Sequence, residues 1–198
     1  MKPSFLFRLG RCGGRAATPV AAAIAALLGA HTAQAASIYW DGTGNSWSAV
    51  GSWSNAVGVT TDPVSIPGTS DTATFSISTL TNTAQTVNLN AAQSVLGLSF
   101  LGTNTATTLL QGGGVANQTL TLGTGGISVA SLAGAVTIGS AAALQNVALT
   151  LGVAQSWTNN SANALTVVNG VSAGVNLLTL AGTGAINLNG VLSALVTP

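Results

Sequence analysis

Beyond residue 35 the chain has no lysine, arginine, histidine, cysteine or glutamate, and these absences exclude more functions than any motif supports. Lys2, Arg8, Arg11 and Arg15, the single cysteine (Cys12) and the single histidine (His31) all come earlier, leaving Asp41, Asp62 and Asp71 as the only charged side chains of the remainder. Removing the four basic residues takes the formal net charge from +1 to −3. Nucleic-acid binding is excluded, because counterion release needs a lysine or arginine footprint. Zinc lacks its histidine and cysteine ligands, and no cofactor is expected. With no disulfide framework, roughly 160 residues must be held by burial and backbone hydrogen bonds, a length sufficient for one domain.

What is present begins with an export signal. The basic residues precede an eleven-residue run of small apolar side chains at 20–30 and then Ala33-Gln34-Ala35, which predicts a signal-peptide helix over 1–35 cleaved after Ala35. The run is well short of the roughly 20 residues that span a bilayer, so no membrane span is expected after removal.

The second half is repetitive. Leu120-Thr121-Leu122, Leu149-Thr150-Leu151 and Leu178-Thr179-Leu180 recur every 29 residues, and between them Val136-Thr137-Ile138 is followed at the same distance by Leu165-Thr166-Val167. Each phrase alternates apolar with polar residues, placing aliphatic groups on one face of a strand and hydroxyls on the other. Thr86 to Leu89, Leu96 to Phe100, Ile127 with Val129 and Ile186 with Leu188 continue the alternation, and Gly112-Gly113-Gly114 interrupts it. Strands stacked in register would set Leu120 and Leu122 over Leu149 and Leu151, and these over Leu178 and Leu180. A stacked β-solenoid also suits a body with no charge after Asp71, since a sandwich guards its edges with lysine, proline or inward charges. Whether each 29-residue unit is one coil or two shorter rungs stays open. Asn159, Asn160, Asn163, Asn169 and Asn176 are candidates for sharp bends, where asparagine tolerates left-handed backbone. Trp157, inside the repeat, is expected in the core.

Residues 36–75 differ in texture, holding Trp40, Trp47, Trp53 and all three aspartates. Two readings fit. Large aromatics in an irregular Gly/Ser-rich segment can cap the exposed end of a solenoid. Alternatively, Trp40, Trp47 and Trp53 with Asp41 make a platform for a surface glycan, a flat apolar face beside hydrogen-bonding groups. Burial of the rings against Val64, Ile66 or Phe75 favours the first reading; parallel solvent-facing rings favour the second. Asp41-Gly42-Thr43-Gly44-Asn45 superficially resembles a calcium loop but supplies one carboxylate.

Catalysis finds little support. Gly170-Val171-Ser172-Ala173-Gly174 matches the nucleophile elbow, yet after residue 35 no histidine or lysine can accept the serine proton. Glycoside hydrolysis needs two facing carboxylates, and only the three aspartates of 36–75 are on offer. No catalytic or metal residue is assigned.

The strings Leu120-Thr121-Leu122-Gly123-Thr124-Gly125-Gly126-Ile127-Ser128-Val129, Leu151-Gly152-Val153-Ala154-Gln155-Ser156-Trp157 and Leu178-Thr179-Leu180-Ala181-Gly182-Thr183-Gly184 resemble the autotransporter-associated β-strand repeat. The opening Tyr39-Trp40-Asp41-Gly42 with Trp47 and Trp53 is similar to the start of such secreted passengers. The resemblance covers roughly 37–190 and implies an all-β protein, a right-handed parallel β-helix with a Trp-rich cap at 36–75 and repeats at 76–198. It further implies export by a Gram-negative bacterium and display on the cell surface or release. The function expected is a non-catalytic structural stalk, with an adhesin or glycan-binding module as the alternative. The family's translocator barrel is not in this sequence, and the apolar Val191, Leu192, Leu195 and Val196 carry no guarding charge. The chain is therefore expected to be the N-terminal portion of a longer passenger, continuing into further repeats or associating end to end.

Overall fold

Alternating Leu/Val/Ile and Thr/Ser/Asn residues, with no sustained helical period, dictate extended backbone with one apolar face per strand. The computed structural model describes residues 35–76, 84–101 and 107–194; the expected signal segment up to residue 34, and Leu195 and Val196, lie outside them. Among the described residues there are fifteen strands and no α-helix: β1 (Ala36–Trp40), β2 (Trp53–Ser54), β3 (Asp71–Phe75), β4 (Ala84–Asn88), β5 (Gln93–Phe100), β6 (Thr107–Gln111), β7 (Gln118–Val129), β8 (Val136–Ile138), β9 (Val147–Leu151), β10 (Gln155–Asn159), β11 (Leu165–Val167), β12 (Val171–Gly174), β13 (Leu178–Ala181), β14 (Ile186–Leu188) and β15 (Leu192–Ala194). No described helix is long and apolar enough to cross a membrane.

The strands pair in three ladders, parallel throughout except for β1 with β2. The first aligns Ile38, Ala73, Leu98, Ile127, Trp157 and Leu180 across β1, β3, the second half of β5, the second half of β7, β10 and β13. The second aligns Val87, Leu110, Ile138, Val167 and Leu188 across β4, β6, β8, β11 and β14. The third aligns Gln93, Leu120, Leu149, Val171 and Leu192 across the first halves of β5 and β7, then β9, β12 and β15. From the second half of β5 onward the chain visits first, second and third ladder in unbroken rotation. Most column members are buried, Leu98, Leu110, Leu120, Ile138, Leu149 and Trp157 almost completely, and they form one core. Fully burying an aliphatic side chain contributes about 1.5–3 kcal/mol, so these columns carry the fold. The residues between them face out: Ser94, Thr121, Thr150, Ser172 and Ser193 run up the third ladder as a row of hydroxyl side chains.

β5 and β7 each serve two ladders because each bends midway, where their register shifts between Val95 and Gly97. Gly97 is needed there: a Cβ would lie 2.7 Å from the carbonyl carbon of Gly125, closer than real contacts allow. Without that close approach one strand could not turn from one ladder into the next.

Two expectations meet corrections. The 29-residue repeat holds in space for Leu120 over Leu149, Leu122 near Leu151 and Val136 over Leu165, but Leu178 and Leu180 pair with Gln155 and Trp157 of the first ladder. Leu149 instead meets Val171. The cause is a connection length: eight residues, 139–146, join β8 to β9, whereas three, 168–170, join β11 to β12. The turn shortens, and the third Leu-Thr-Leu falls on a different ladder. Residues 36–75, expected to be irregular, contribute β1 and β3 to the first ladder, so the boundary after Phe75 falls within continuous pairing.

The asparagines act at bends as expected, though through their side-chain amides. Asn159 accepts from Ser161 N (2.9 Å) and donates to the carbonyls of Asn163 (2.9 Å) and Ala185 (2.8 Å). Asn169 accepts from Ser140 N (3.2 Å) and Val147 N (2.9 Å) and donates to Ser140 O (3.2 Å), closing the long 139–146 connection. Asn163 and Asn176 tie down the carbonyls of Ala133 and Leu151. Left-handed backbone falls elsewhere, at Asn90 (φ 58°), Leu144 (φ 62°) and several glycines such as Gly139 (φ 87°), whose bare Cα faces the Asn169 amide.

Candidate functional site

The tryptophans expected to bind ligand converge at the N-terminal end of the ladders. Trp40 is the last residue of β1, and Trp53 opens β2, its antiparallel partner. Trp47 sits on the loop between them, held where its N–H reaches Asn88 O (2.8 Å) while Asn88 N reaches Asn45 O (2.7 Å). Trp40 and Trp53 meet edge to face at 5.1 Å, as do Trp47 and Trp53 at 4.9 Å. All three rings lie about Phe75, at 6.2, 6.3 and 5.9 Å, and Phe75 stacks on Phe100 at 4.9 Å. Edge-to-face pairs add about 0.5–1.5 kcal/mol each beyond the area they bury. Trp53 Nε1 donates to Trp47 O (2.8 Å), and Trp40 Nε1 to Gln85 Oε1 (3.3 Å).

The arrangement suits a plug. Trp40 is 1 % exposed and Trp47 and Trp53 0 %, whereas stacking on a pyranose needs an open ring face. The expected sugar platform is therefore not formed by these side chains as they sit. Asp41, 8 % exposed, is equally withdrawn: its Oδ1 accepts from Thr43 N and Oγ1, both at 2.8 Å, and closes the turn after β1. Three buried polar atoms beside the plug, Asp41 Oδ2, Trp47 Nε1 and Gln85 Nε2, have no hydrogen-bond partner. Asp71 Oδ2 caps a second turn through Gly68 N (2.9 Å), and Asp62 is exposed. The aspartates serve turns. Among the described residues no group of three or more His, Cys, Asp or Glu could hold a metal ion.

Ser172, the centre of the Gly-x-Ser-x-Gly string, lies in mid-strand β12 between Thr150 and Ser193. An elbow needs a sharp strand-to-helix turn, and its geometry is missing. Trp157 is fully buried in the first-ladder column, its Nε1 donating to Gln155 Oε1 (3.1 Å).

One feature escaped sequence reasoning. Where β5 and β7 bend, an open cleft of about 330 Å³ is lined by Leu96, Leu122 and Val153, with Thr69, Ser94, Thr121 and Thr124 among the polar groups. Its signal was the glycine-rich string after Leu122, which marks a bend without revealing a hollow. Compared with known proteins, the chain matches no family model, no curated protein and no solved structure.

Proposed function

We propose that the chain is a non-catalytic structural segment of an exported passenger, a right-handed parallel β-helix of the autotransporter-associated repeat kind, displayed on or released from a Gram-negative cell surface. The observation that carries this reading is the rotation of successive strands through three parallel ladders, with inward aliphatic columns and outward hydroxyl rows. Parallel crossovers are overwhelmingly right-handed, which supplies the hand. A stalk needs length, resistance to unfolding and a surface without reactive groups. Stacked turns supply the first two, and Ser, Thr and Asn supply the third. The buried Trp40, Trp47 and Trp53 fit a terminal plug of such a stalk better than a glycan platform.

Expression in a Gram-negative host tests this. Mass spectrometry of the exported chain is expected to find Ala36 or Ser37 first, and a retained Met1 would remove the export part of the reading. The purified chain is expected to hydrolyse neither esters nor glycans, and Ser172→Ala to change stability by no more than about 0.5 kcal/mol. Hydrolysis abolished by that substitution would overturn the non-catalytic part. Glycan capture lost in a folded Trp47→Ala variant would restore the adhesin alternative.

A further inference from the structure

The three columns end without a lid. Along the first ladder Trp157 is 0 % exposed and the next member, Leu180, 47 %; along the third, Val171 is 1 % and Leu192 48 %. These side chains continue the inward columns, so the core's own cross-section is what water meets. β13, β14 and β15 each pair on one side only, which leaves three strand edges open at once. A hollow of about 250 Å³ lies between Leu180, Gly182, Gly184 and Ile186. Val175, Leu177 and Val191 are also exposed, at 70–76 %, and no charged residue follows Asp71. An uninterrupted apolar end with free strand edges is an association surface.

The opposite end offers no counterpart. β2 covers the edge of β1, Ser46 bridges Asn88 over the edge of β4, and Ser48 is bound to Leu89 O and Gln93 Nε2. Head-to-tail stacking, which would need an open edge at both ends, is blocked. We infer that the open end is an isologous interface with a second copy of this chain, the two meeting through β13, β14 and β15 about a two-fold axis. Such an axis makes facing strands antiparallel, so their free N–H and C=O groups can pair, and Leu180 and Leu192 of both copies leave water together. With no charge on either face, nothing repels. Each far end is sealed by its tryptophan plug, so assembly closes at two copies.

Sedimentation of the purified chain over a range of concentration and salt tests this. The expected result is a salt-insensitive species of twice the monomer mass that grows no further. Hydrogen exchange is expected to slow with concentration at the amides of 178–194 and to stay unchanged at 45–54. Leu180→Lys with Leu192→Lys is expected to weaken association at least roughly tenfold; should that variant not fold, the exchange pattern of the unaltered chain decides. A monomer at every concentration, open-ended growth into fibres, or protection confined to other segments would each overturn the interface.

Discussion

Ile38 and Leu180 stand in one column, both pointing inward, yet Ile38 is 7 % exposed and Leu180 47 %. They differ in what lies over them. Residues 41–54 fold across the first end, with two of the four tryptophans inserted beneath, and no described segment lies across the other. In stacked strands a residue's burial is conferred by the next turn of chain rather than by its own, so terminal turns either carry a dedicated lid or present core to solvent. The lid is where this chain spends its aromatic residues.

The largest effect should come from removing the lid's centre. Trp53→Ala deletes a fully buried ring touching Trp40, Trp47 and Phe75, and is expected to destabilise by roughly 3–5 kcal/mol in urea unfolding, with the remaining tryptophan emission shifted red. A loss no greater than that of an exposed site would mean the plug is not what closes this end.

Next comes the contrast within columns. Leu149→Ala, in mid-stack, should destabilise by roughly 2–5 kcal/mol. Leu180→Ala, already half exposed, should lose only about 1 kcal/mol when compared below the concentration at which copies associate. Equal losses would erase the difference between a covered and an uncovered column member.

The smallest effect belongs to a connection. Asn169→Ala withdraws the acceptor of Ser140 N and Val147 N, and is expected to cost about 1–3 kcal/mol while accelerating proteolysis within 139–146. An unchanged cleavage rate there would show that the long connection holds itself.

Much of this could be read in advance, for identifiable reasons. Leu120 over Leu149 and Val136 over Leu165 followed from a period longer than any local accident of composition, and the inward face followed from alternation. Leu178 misled because the Leu-Thr-Leu phrase reports a strand and its facing, but not which ladder the strand joins. That choice rests on the count of residues in 168–170 against 139–146, and both lengths are compatible with a turn. Trp40, Trp47 and Trp53 were ambiguous because tryptophan beside Ser, Asn and Asp suits a wet platform and a dry plug equally. The plug was chosen by Phe75 and Phe100, which belong to neighbouring strands. The cleft beside Leu96 could not be foreseen, since it is a space left by two bends and belongs to no residue.

Composition and alternation alone dictated an all-β chain with aliphatic inner faces and hydroxyl outer faces, because side-chain direction in a strand is a local property of period two. They also excluded every chemistry that requires a base, a thiol or a metal-ligating nitrogen after residue 35. Register, the sealing of one end and the exposure of the other came only with tertiary structure, because each depends on which distant strand lies alongside. Connection lengths and backbone approach distances set that neighbour, and neither is encoded in the pattern of any single strand.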